Sequence, residues 1–216
     1  MKRSVMSMLR ILDLFCGLGG VAKGFQRWLD EHGVEYEYTA VDINKEVLKV
    51  HKYLNPKSQV VLRDAYSFTN DELKEFDFIW ASPPCQSHSR AQIMWKRRKP
   101  DMRLYDLIKQ LLRVNKPFVV ENVIPYYEPP IKPNYRIDRH FLWTNIKQPL
   151  FIDKLQRVPL HEMSISQLAE FHGIPLKYLK LLKHTDKRQV LRNMVNPKLS
   201  YKLAGWIFPL LKKEGV

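Results

Sequence analysis

Short apolar runs alternate with segments of helical periodicity over the first 121 residues. The apolar runs predict buried strands at five places, 10–15, 36–43, 59–63, 76–81 and 117–121. Helically spaced apolar residues predict helices from Val21 to Gly33, over 45–54 and over about 103–115. Strands that alternate with helices are typical of βαβ units, so we expect an α/β fold with a doubly wound, mainly parallel sheet.

The pattern changes after residue 121. Four prolines in 124–136 predict a loop or an irregular edge, and 140–146 is apolar enough for a strand. Ser164 and Gln167 form a capping box that predicts a helix ending at Gly173. Asn196-Pro197 begins a last helix with an apolar stripe, so we expect a small C-terminal helical region.

Composition adds a strong positive charge. The 216 residues suit one hydrophobic core, and the net charge is +14. Such an excess favours a polyanionic partner, most often nucleic acid, over the alternative of an anionic membrane surface. Two cysteines make neither a disulfide framework nor a zinc set, and no apolar run has the length of a membrane span. Asp13 interrupts the only stretch that resembles a signal peptide, so we expect a cytoplasmic protein without a membrane partner.

A glycine-rich turn follows the first predicted strand in DLFCGLGG, residues 13–20. Glycines at a strand-to-helix turn let the backbone approach a ligand, and Asp42 ends the next strand where an acid binds ribose hydroxyls. The glycine spacing, with Ala22 in place of a third spaced glycine, leaves room for S-adenosylmethionine as well as a dinucleotide. Asp64 follows the third strand and either accepts from an adenine amine or caps a turn.

The proline-rich turn SPPCQSHS, residues 82–89, carries Cys85 after the fourth strand. Arg90 and the KRRK run at 96–99 lie downstream, and we expect these charges to favour a thiolate at Cys85. ENV at 121–123 ends the fifth strand at the same edge, which makes Glu121 the expected acid–base partner of that thiolate.

These stretches together resemble the DNA cytosine-5 methyltransferases. DLFCGLGG, SPPCQSHS and ENV resemble that family's first, nucleophile and Glu-Asn-Val motifs. SISQLAEFHGIP (164–175) and RQVLRNMVNPKL (188–199) resemble its two closing motifs, in the family's order. The resemblance covers nearly the whole chain and implies a Rossmann-like fold that uses S-adenosylmethionine.

The resemblance implies a chemistry in which the Cys85 thiolate adds to C6 of a cytosine that has left the duplex, so that C5 takes a methyl group. Gln86 belongs to the same motif, Glu121 would bind N3 and the exocyclic amine, and Asn122 would hold the strand end. The resemblance assigns Phe15 and Asp64 to the adenine and Asp42 to the ribose. The remaining residues expected to bind the cofactor are Asp13, Cys16, Gly17, Gly19, Gly20, Ile43, Ala65, Pro83, Asn193 and Val195.

Some positions depart from the family's pattern. Where the family has Gln-x-Arg-x-Arg, this chain has Arg136 and Arg139, and we expect Arg139 to contact the cytosine carbonyl or a phosphate. Arg192 replaces a glycine and Met194 a small residue near the expected cofactor pocket, which would alter cofactor affinity or the choice of sulfonium cofactor. The residues expected to contact nucleic acid are Ser89, Arg90, Lys96, Arg97, Arg98 and Arg136.

Only residues 146–163 separate the arginine motif from the closing motifs, where the family has a target recognition domain. We therefore expect one methyltransferase domain over 1–216, with a catalytic core at 1–148, a vestige of the small lobe at 149–187 and a returning helix at 188–216. Such a chain would read a short or relaxed site, or would depend on a separate recognition subunit.

Three alternatives remain at this point. An amino-methyltransferase would carry an aromatic residue after its Ser-Pro-Pro turn, whereas this chain has Cys85. RNA is the alternative substrate, because charge does not separate it from DNA. A catalytically silent regulatory protein is the third. An enzyme of this kind suits a bacterial, archaeal or viral setting, including restriction–modification, and the residues do not choose among these.

Overall fold

The computed structural model describes residues 8–89, 99–152 and 158–213. Seven strands form one sheet in the order β3-β2-β1-β4-β5-β7-β6. The strands are β1 (Leu9–Leu14), β2 (Tyr36–Asp42), β3 (Ser58–Leu62), β4 (Phe78–Ala81), β5 (Phe118–Val123), β6 (Tyr135–Ile137) and β7 (His140–Thr144). The first five are parallel, and β7 is antiparallel to both β5 and β6. This arrangement confirms the predicted α/β fold with its mainly parallel sheet.

Eight α-helices occur in the described part of the chain. They are α1 (Gly20–Glu31), α2 (Lys45–Leu54), α3 (Asn70–Lys74), α4 (Arg103–Val114), α5 (Ile165–His172), α6 (Leu176–Leu179), α7 (Lys187–Arg192) and α8 (Pro197–Lys213). The five longer helices were predicted, whereas α3, α6 and α7 have at most six residues and are too short to display a helical period.

One predicted loop contains a strand. The proline-rich segment 124–136 runs into β6, which forms a hairpin with β7 through the two-residue turn at Asp138 and Arg139. Asp138 has a φ of 48°, a left-handed conformation that suits such a turn. Because β6 exists only through its pairing with β7, the local sequence gave no signal for it.

The hydrophobic core lies on both faces of the sheet. Alternate residues of β1 supply the two faces, with Ile11 in the cluster beside α1 and α8 and Leu12 in the cluster beside α4. On the first face, the rings of Phe25, Phe78 and Phe208 pack with centroids 5.1 to 6.0 Å apart. The C-terminal helix α8 therefore packs against the sheet beside α1.

A third cluster joins the segment that contains α5, α6 and α7 to α2. Leu168, Leu179 and Leu191 pack there with Val47 and Val50. The Glu46 carboxylate fastens the same segment, since it accepts hydrogen bonds from the backbone of His184 and Thr185 at 3.0 to 3.2 Å. Within the three described ranges, no helix combines the length and the apolar character that crossing a membrane requires.

Candidate active site

The carboxyl ends of the parallel strands open into one large cavity. In register, Leu14 of β1 lies beside Val41 of β2 and Ala81 of β4, and Ala81 lies beside Val120 of β5. The cavity at this edge has a volume of about 1300 Å³. The predicted site residues that line it are Phe15, Cys16, Gly17, Gly20, Asp42, Ile43, Asp64, Ala65, Pro83, Cys85, Gln86, Glu121, Asn122, Arg136, Asn193 and Val195.

The glycine-rich turn forms one wall of the cavity. Gly17 has a φ of 53°, and its N–H donates to Oδ2 of Asp42 at 3.1 Å. The other oxygen of Asp42 accepts from the N–H of Asn44 at 2.9 Å, so this carboxylate joins the turn to the start of α2. Burial raises the pKa of Asp42, although these backbone hydrogen bonds oppose the shift. The turn also lies close to the segment after α7, because a Cβ at Gly20 would be 2.0 Å from the carbonyl oxygen of Val195.

The cavity is also lined by two aromatic rings and an acidic side chain that lie near one another. The rings of Phe15 and Tyr66 meet edge to face with centroids 4.8 Å apart, and the Arg103 guanidinium lies 4.4 Å from the centre of the Tyr66 ring. Asp64 accepts from the N–H of Tyr66 at 3.0 Å and also lines the cavity. Asp64 therefore caps a turn and keeps further acceptor capacity toward the cavity. A flat ring in contact with Phe15 and a sugar whose hydroxyls donate to Asp42 fit these acceptors and surfaces.

Cys85 lies in the turn after β4 and also lines the cavity. Its sulfur is 4.0 Å from Oδ1 of Asn193, the residue that follows α7. The turn is held by Asn122, whose Nδ2 donates to the carbonyl oxygen of Pro83 at 2.9 Å. Because Asn122 is 2% exposed, this hydrogen bond fixes the turn from inside the protein.

The surroundings of Cys85 that the structure describes favour the thiol over the thiolate. Burial and the charge of Glu121 raise the pKa of the Cys85 thiol to about 11, and Arg192 opposes this shift. The basic residues on which the prediction of a thiolate depended, Arg90 and the run that begins at Lys96, lie mostly outside the described residues. Cys85 is therefore a protonated thiol beside a carboxylate.

Glu121 has a neighbour that sequence reasoning missed. Nε2 of His140 lies 3.6 Å from Oε1 of Glu121, and both side chains line the cavity. Arg136 also lines it, whereas Arg139 occupies the exposed β6–β7 turn and does not. The preference for Arg139 is thus corrected in favour of Arg136 and His140. Since a strand was predicted over 140–146, the position of His140 at its start was the available signal.

Three further predicted residues lie away from the cavity lining. Asp13 is fully buried, where its carboxylate accepts from the Tyr38 hydroxyl at 2.8 Å and burial raises its pKa to about 8. Gly19 faces α2, because a Cβ there would be 2.1 Å from Nδ2 of Asn55. Ser89 pairs with Pro125 in an isolated β-bridge. The other predicted nucleic-acid contacts, Arg90, Lys96, Arg97 and Arg98, lie outside the described residues.

Comparison with known proteins identifies the family. Residues 9–126, more than half of the chain, match the model of the C-5 cytosine-specific DNA methylases. The tRNA (cytosine(38)-C(5))-methyltransferase of Homo sapiens is 28% identical over 124 residues, which is 55% of this chain and 31% of that protein. The type II methyltransferase M1.BsuMI of Bacillus subtilis strain 168 is 28% identical over 133 residues, 53% of this chain and 31% of that protein. The chain thus spans about a third of the length of these relatives.

A solved structure matches the fold over nearly the whole chain. The methyltransferase EhMeth of Entamoeba histolytica aligns with a TM-score of 0.62 at 13% identity, over 95% of this chain and 99% of that one. S-adenosylmethionine is the cofactor expected of such a protein, and the cavity beside the glycine-rich turn has the groups that fit it. The motifs, the Rossmann-like sheet and the match over residues 9–126 place this chain in the C-5 cytosine-specific DNA methylase family.

Proposed function

We propose that this protein transfers a methyl group from S-adenosylmethionine to C5 of a cytosine in DNA, through a covalent bond between Cys85 and C6 of a base flipped out of the duplex. The observation that carries the proposal is that Cys85, Glu121 and the glycine-rich turn line one cavity. A base inside a duplex does not reach such a cavity, and flipping costs a few kcal/mol.

The side chains have separate tasks in this reaction. S-adenosylmethionine supplies an electrophilic methyl group. The Cys85 sulfur bonds to C6, which makes C5 nucleophilic, while Glu121 binds N3 and the exocyclic amine and so favours attack at C6. C5 takes the methyl group and S-adenosylhomocysteine is the leaving group. Loss of the C5 proton to solvent then breaks the bond between sulfur and C6 and releases the thiolate. Asn122 keeps the Cys85 turn in place through its hydrogen bond to Pro83.

RNA is the second candidate substrate, and a specific observation supports it. The human tRNA methyltransferase and the bacterial type II enzyme are each 28% identical to this chain over similar lengths. The net charge of +14 suits either polyanion. We place DNA first because the matching family model describes DNA methylases.

We also propose that the chain reads little sequence by itself. β7 ends at Thr144 and α5 begins at Ile165, so 20 residues separate them in the sequence. So short a segment does not form an independent domain that reads base edges in a groove. Specificity would then be short or relaxed, or would come from a separate recognition subunit.

Nucleoside mass spectrometry tests the proposal directly. Duplex DNA and total tRNA are each incubated with S-adenosylmethionine and the pure protein, beside the Cys85→Ala variant. We expect 5-methylcytosine in the DNA arm only, and none with the variant. Sequencing of the methylated DNA then gives the length of the site, and a long strict site would contradict the proposal of low specificity.

The remaining outcomes separate the alternatives. 5-Methylcytosine in the tRNA arm alone would overturn DNA as the substrate and keep the thiol chemistry. Product from both the wild-type protein and the variant would overturn Cys85 as the nucleophile. S-adenosylmethionine binding by calorimetry, without product on either nucleic acid, would support the catalytically silent regulatory protein instead.

A further inference from the structure

Three arginines line the cavity, and two of them have partners. Arg103 forms an ion pair with Asp101 at 2.6 Å, and Nε of Arg136 donates to the carbonyl oxygen of Asp138 at 3.2 Å. The side chain of Arg192 makes neither a hydrogen bond nor an ion pair with any residue that the structure describes. Its guanidinium is thus available for a group that enters or faces the cavity.

Arg192 also lies on the side of the cavity where the thiol is. It is the last residue of α7, and Oδ1 of the next residue, Asn193, is 4.0 Å from the sulfur of Cys85. Burial and the charge of Glu121 on β5 raise the pKa of that thiol, whereas a backbone hydrogen bond at Cys85 and the charge of Arg192 on α7 lower it. The other charged or titratable groups that line the cavity are Cys16, Asp42, Asp64, Tyr66, Arg103, Tyr135, Arg136, Asp138, His140 and His172.

The surroundings of Cys85 disfavour the charged form that a nucleophilic cysteine needs. Burial and the nearby Glu121 carboxylate both oppose the thiolate form, and the thiolate is the form that attacks carbon. The Glu121 carboxylate has to stay near the thiol, because in the proposed function it binds the base. A backbone hydrogen bond at Cys85 favours the thiolate, and so does the positive charge of Arg192.

We propose that Arg192 is a positioning residue whose guanidinium stabilises the Cys85 thiolate and offsets the charge of Glu121. This inference rests on the proposed function in one respect, which is the nucleophilic role of Cys85. The expectation from the sequence that Arg192 affects the cofactor stays a prediction, and the present proposal concerns its charge at the thiol.

Alkylation of Cys85 by iodoacetamide measures this effect without cofactor or nucleic acid. The rate is followed by mass spectrometry of the peptide that contains Cys85, between pH 7 and pH 10. Arg188→Gln is the matched control, because Arg188 lies one turn earlier on α7, outside the cavity lining, and donates to the carbonyl oxygen of His161. Cys16 is 6% exposed and serves as an internal reference of low reactivity.

We expect Arg192→Gln to slow alkylation at pH 8 by about two- to fivefold, which corresponds to a rise of about half a pKa unit in the thiol. Arg192→Lys should retain most of the wild-type rate because it keeps the charge, and Arg188→Gln should leave the rate unchanged. Glu121→Gln should accelerate alkylation, since it removes the opposing charge. If Arg192→Gln fails to fold, Arg192→Met, which keeps the aliphatic stem, takes its place.

Equal alkylation rates for Arg192→Gln and Arg188→Gln would overturn the inference. So would an Arg192→Lys variant as slow as Arg192→Gln, because the effect would then come from shape and not from charge. If Arg192→Gln loses S-adenosylmethionine binding but keeps the wild-type alkylation rate, Arg192 acts on the cofactor and the inference is wrong. Failure to methylate any nucleic acid would leave the alkylation result standing, so the inference and the proposed function fail separately.

Discussion

The side chain of Asn122 donates a hydrogen bond to the carbonyl oxygen of Pro83 at 2.9 Å and joins the end of β5 to the turn after β4. Two residues after Pro83, this turn carries Cys85, and one residue before Asn122, the strand carries Glu121. This buried hydrogen bond, together with the pairing of β4 and β5, therefore holds the turn of the thiol against the strand of the carboxylate. Such positioning matters because small displacements of reacting groups have large effects on rate.

Asn122→Ala should impair both stability and activity. The substitution leaves a buried carbonyl oxygen without its donor, which costs about 1–3 kcal/mol in the free energy of unfolding. We also expect kcat for methyl transfer to fall on the order of a hundredfold, because the Cys85 turn loses its attachment. Urea unfolding and single-turnover methyl transfer measure the two effects.

Asn145→Ala is the matched control for this change. Asn145 holds the opposite end of β5, where its side chain accepts from the N–H of Phe118 at 3.1 Å and donates to the carbonyl oxygen of Lys116 at 2.9 Å. This variant should lose comparable stability while the folded molecules keep their activity. Equal losses of activity in the two variants would show that Asn122 acts only through the stability of the strand.

The pH dependence of methyl transfer should follow the thiol of Cys85. Burial and Glu121 raise its pKa to about 11, so below that value the thiolate fraction increases about tenfold per pH unit. We expect the single-turnover rate to rise between pH 7 and pH 9, with Cys85→Ser as the blank. A rate that is flat across this range would mean that the thiolate forms at much lower pH in the complex.

The cofactor side of the site follows closely from the sequence because its determinants are local. The turn at Gly17, Asp42 at the end of β2 and Asp64 after β3 each follow a strand that the apolar pattern predicts. Parallel strands place their carboxyl ends at one edge, so the order of elements suffices to bring these residues together.

The nucleophile side depends on contacts between distant parts of the chain. Arg136 and His140 reach the cavity because β6 pairs with β7 and β7 pairs with β5, a register that no local pattern specifies. The pKa of the Cys85 thiol depends on burial and on the charges of Glu121 and Arg192, which are distant in sequence. The downstream basic run, from which a thiolate was predicted, lies almost entirely outside the described residues.

Asp13 should make the stability of the protein depend on pH. Burial raises its pKa to about 8 from an ordinary value of 3.8, so the folded protein binds this proton more tightly than the unfolded chain does. The stabilising contribution is complete below about pH 3.8 and is lost as the pH rises through about 8. Between pH 5 and pH 8 we expect Asp13 to lower the free energy of unfolding by about 1 kcal/mol per pH unit.

Asp13→Asn should remove this slope, as measured by urea unfolding at several pH values. The exposed Asp106, whose side chain lies 3.4 Å from Nζ of Lys109, provides the control Asp106→Asn, which should keep the wild-type slope. If wild type and Asp13→Asn give parallel curves, Asp13 is ionised in the folded protein across this range.

Gly20→Ala should disturb the contact between the glycine-rich turn and the segment after α7. A Cβ at Gly20 would be 2.0 Å from the carbonyl oxygen of Val195 and 2.9 Å from Cγ of Met194, and backbone cannot move aside cheaply. We expect a loss of about 1–3 kcal/mol in the free energy of unfolding and weaker binding of S-adenosylmethionine, measured by calorimetry.

Gly33→Ala is the control that separates the effect of steric crowding from the effect of backbone strain. Gly33 has a φ of 60°, but a Cβ there meets no atom within 4 Å, so its substitution should cost only about 1 kcal/mol and leave cofactor binding intact. A Gly20→Ala variant that binds the cofactor as well as Gly33→Ala would mean that the segment at Val195 is free to shift.

His140→Ala should slow methyl transfer by displacing Glu121. Nε2 of His140 is 3.6 Å from Oε1 of Glu121, and the two side chains are 41% and 14% exposed, so the histidine covers the carboxylate at the cavity wall. Without it, Glu121 gains freedom to rotate away from the base, and we expect kcat to fall on the order of tenfold with a smaller change in KM. His140→Gln keeps an N–H donor and should restore part of the rate.

His161→Ala is the matched control. It breaks a His–Glu pair in which Nε2 lies 3.2 Å from Oε1 of Glu162 at the exposed surface, and should leave kcat unchanged. If His140→Ala and His161→Ala have the same kcat, Glu121 is held by other groups, and the position of His140 beside it has no consequence for the reaction.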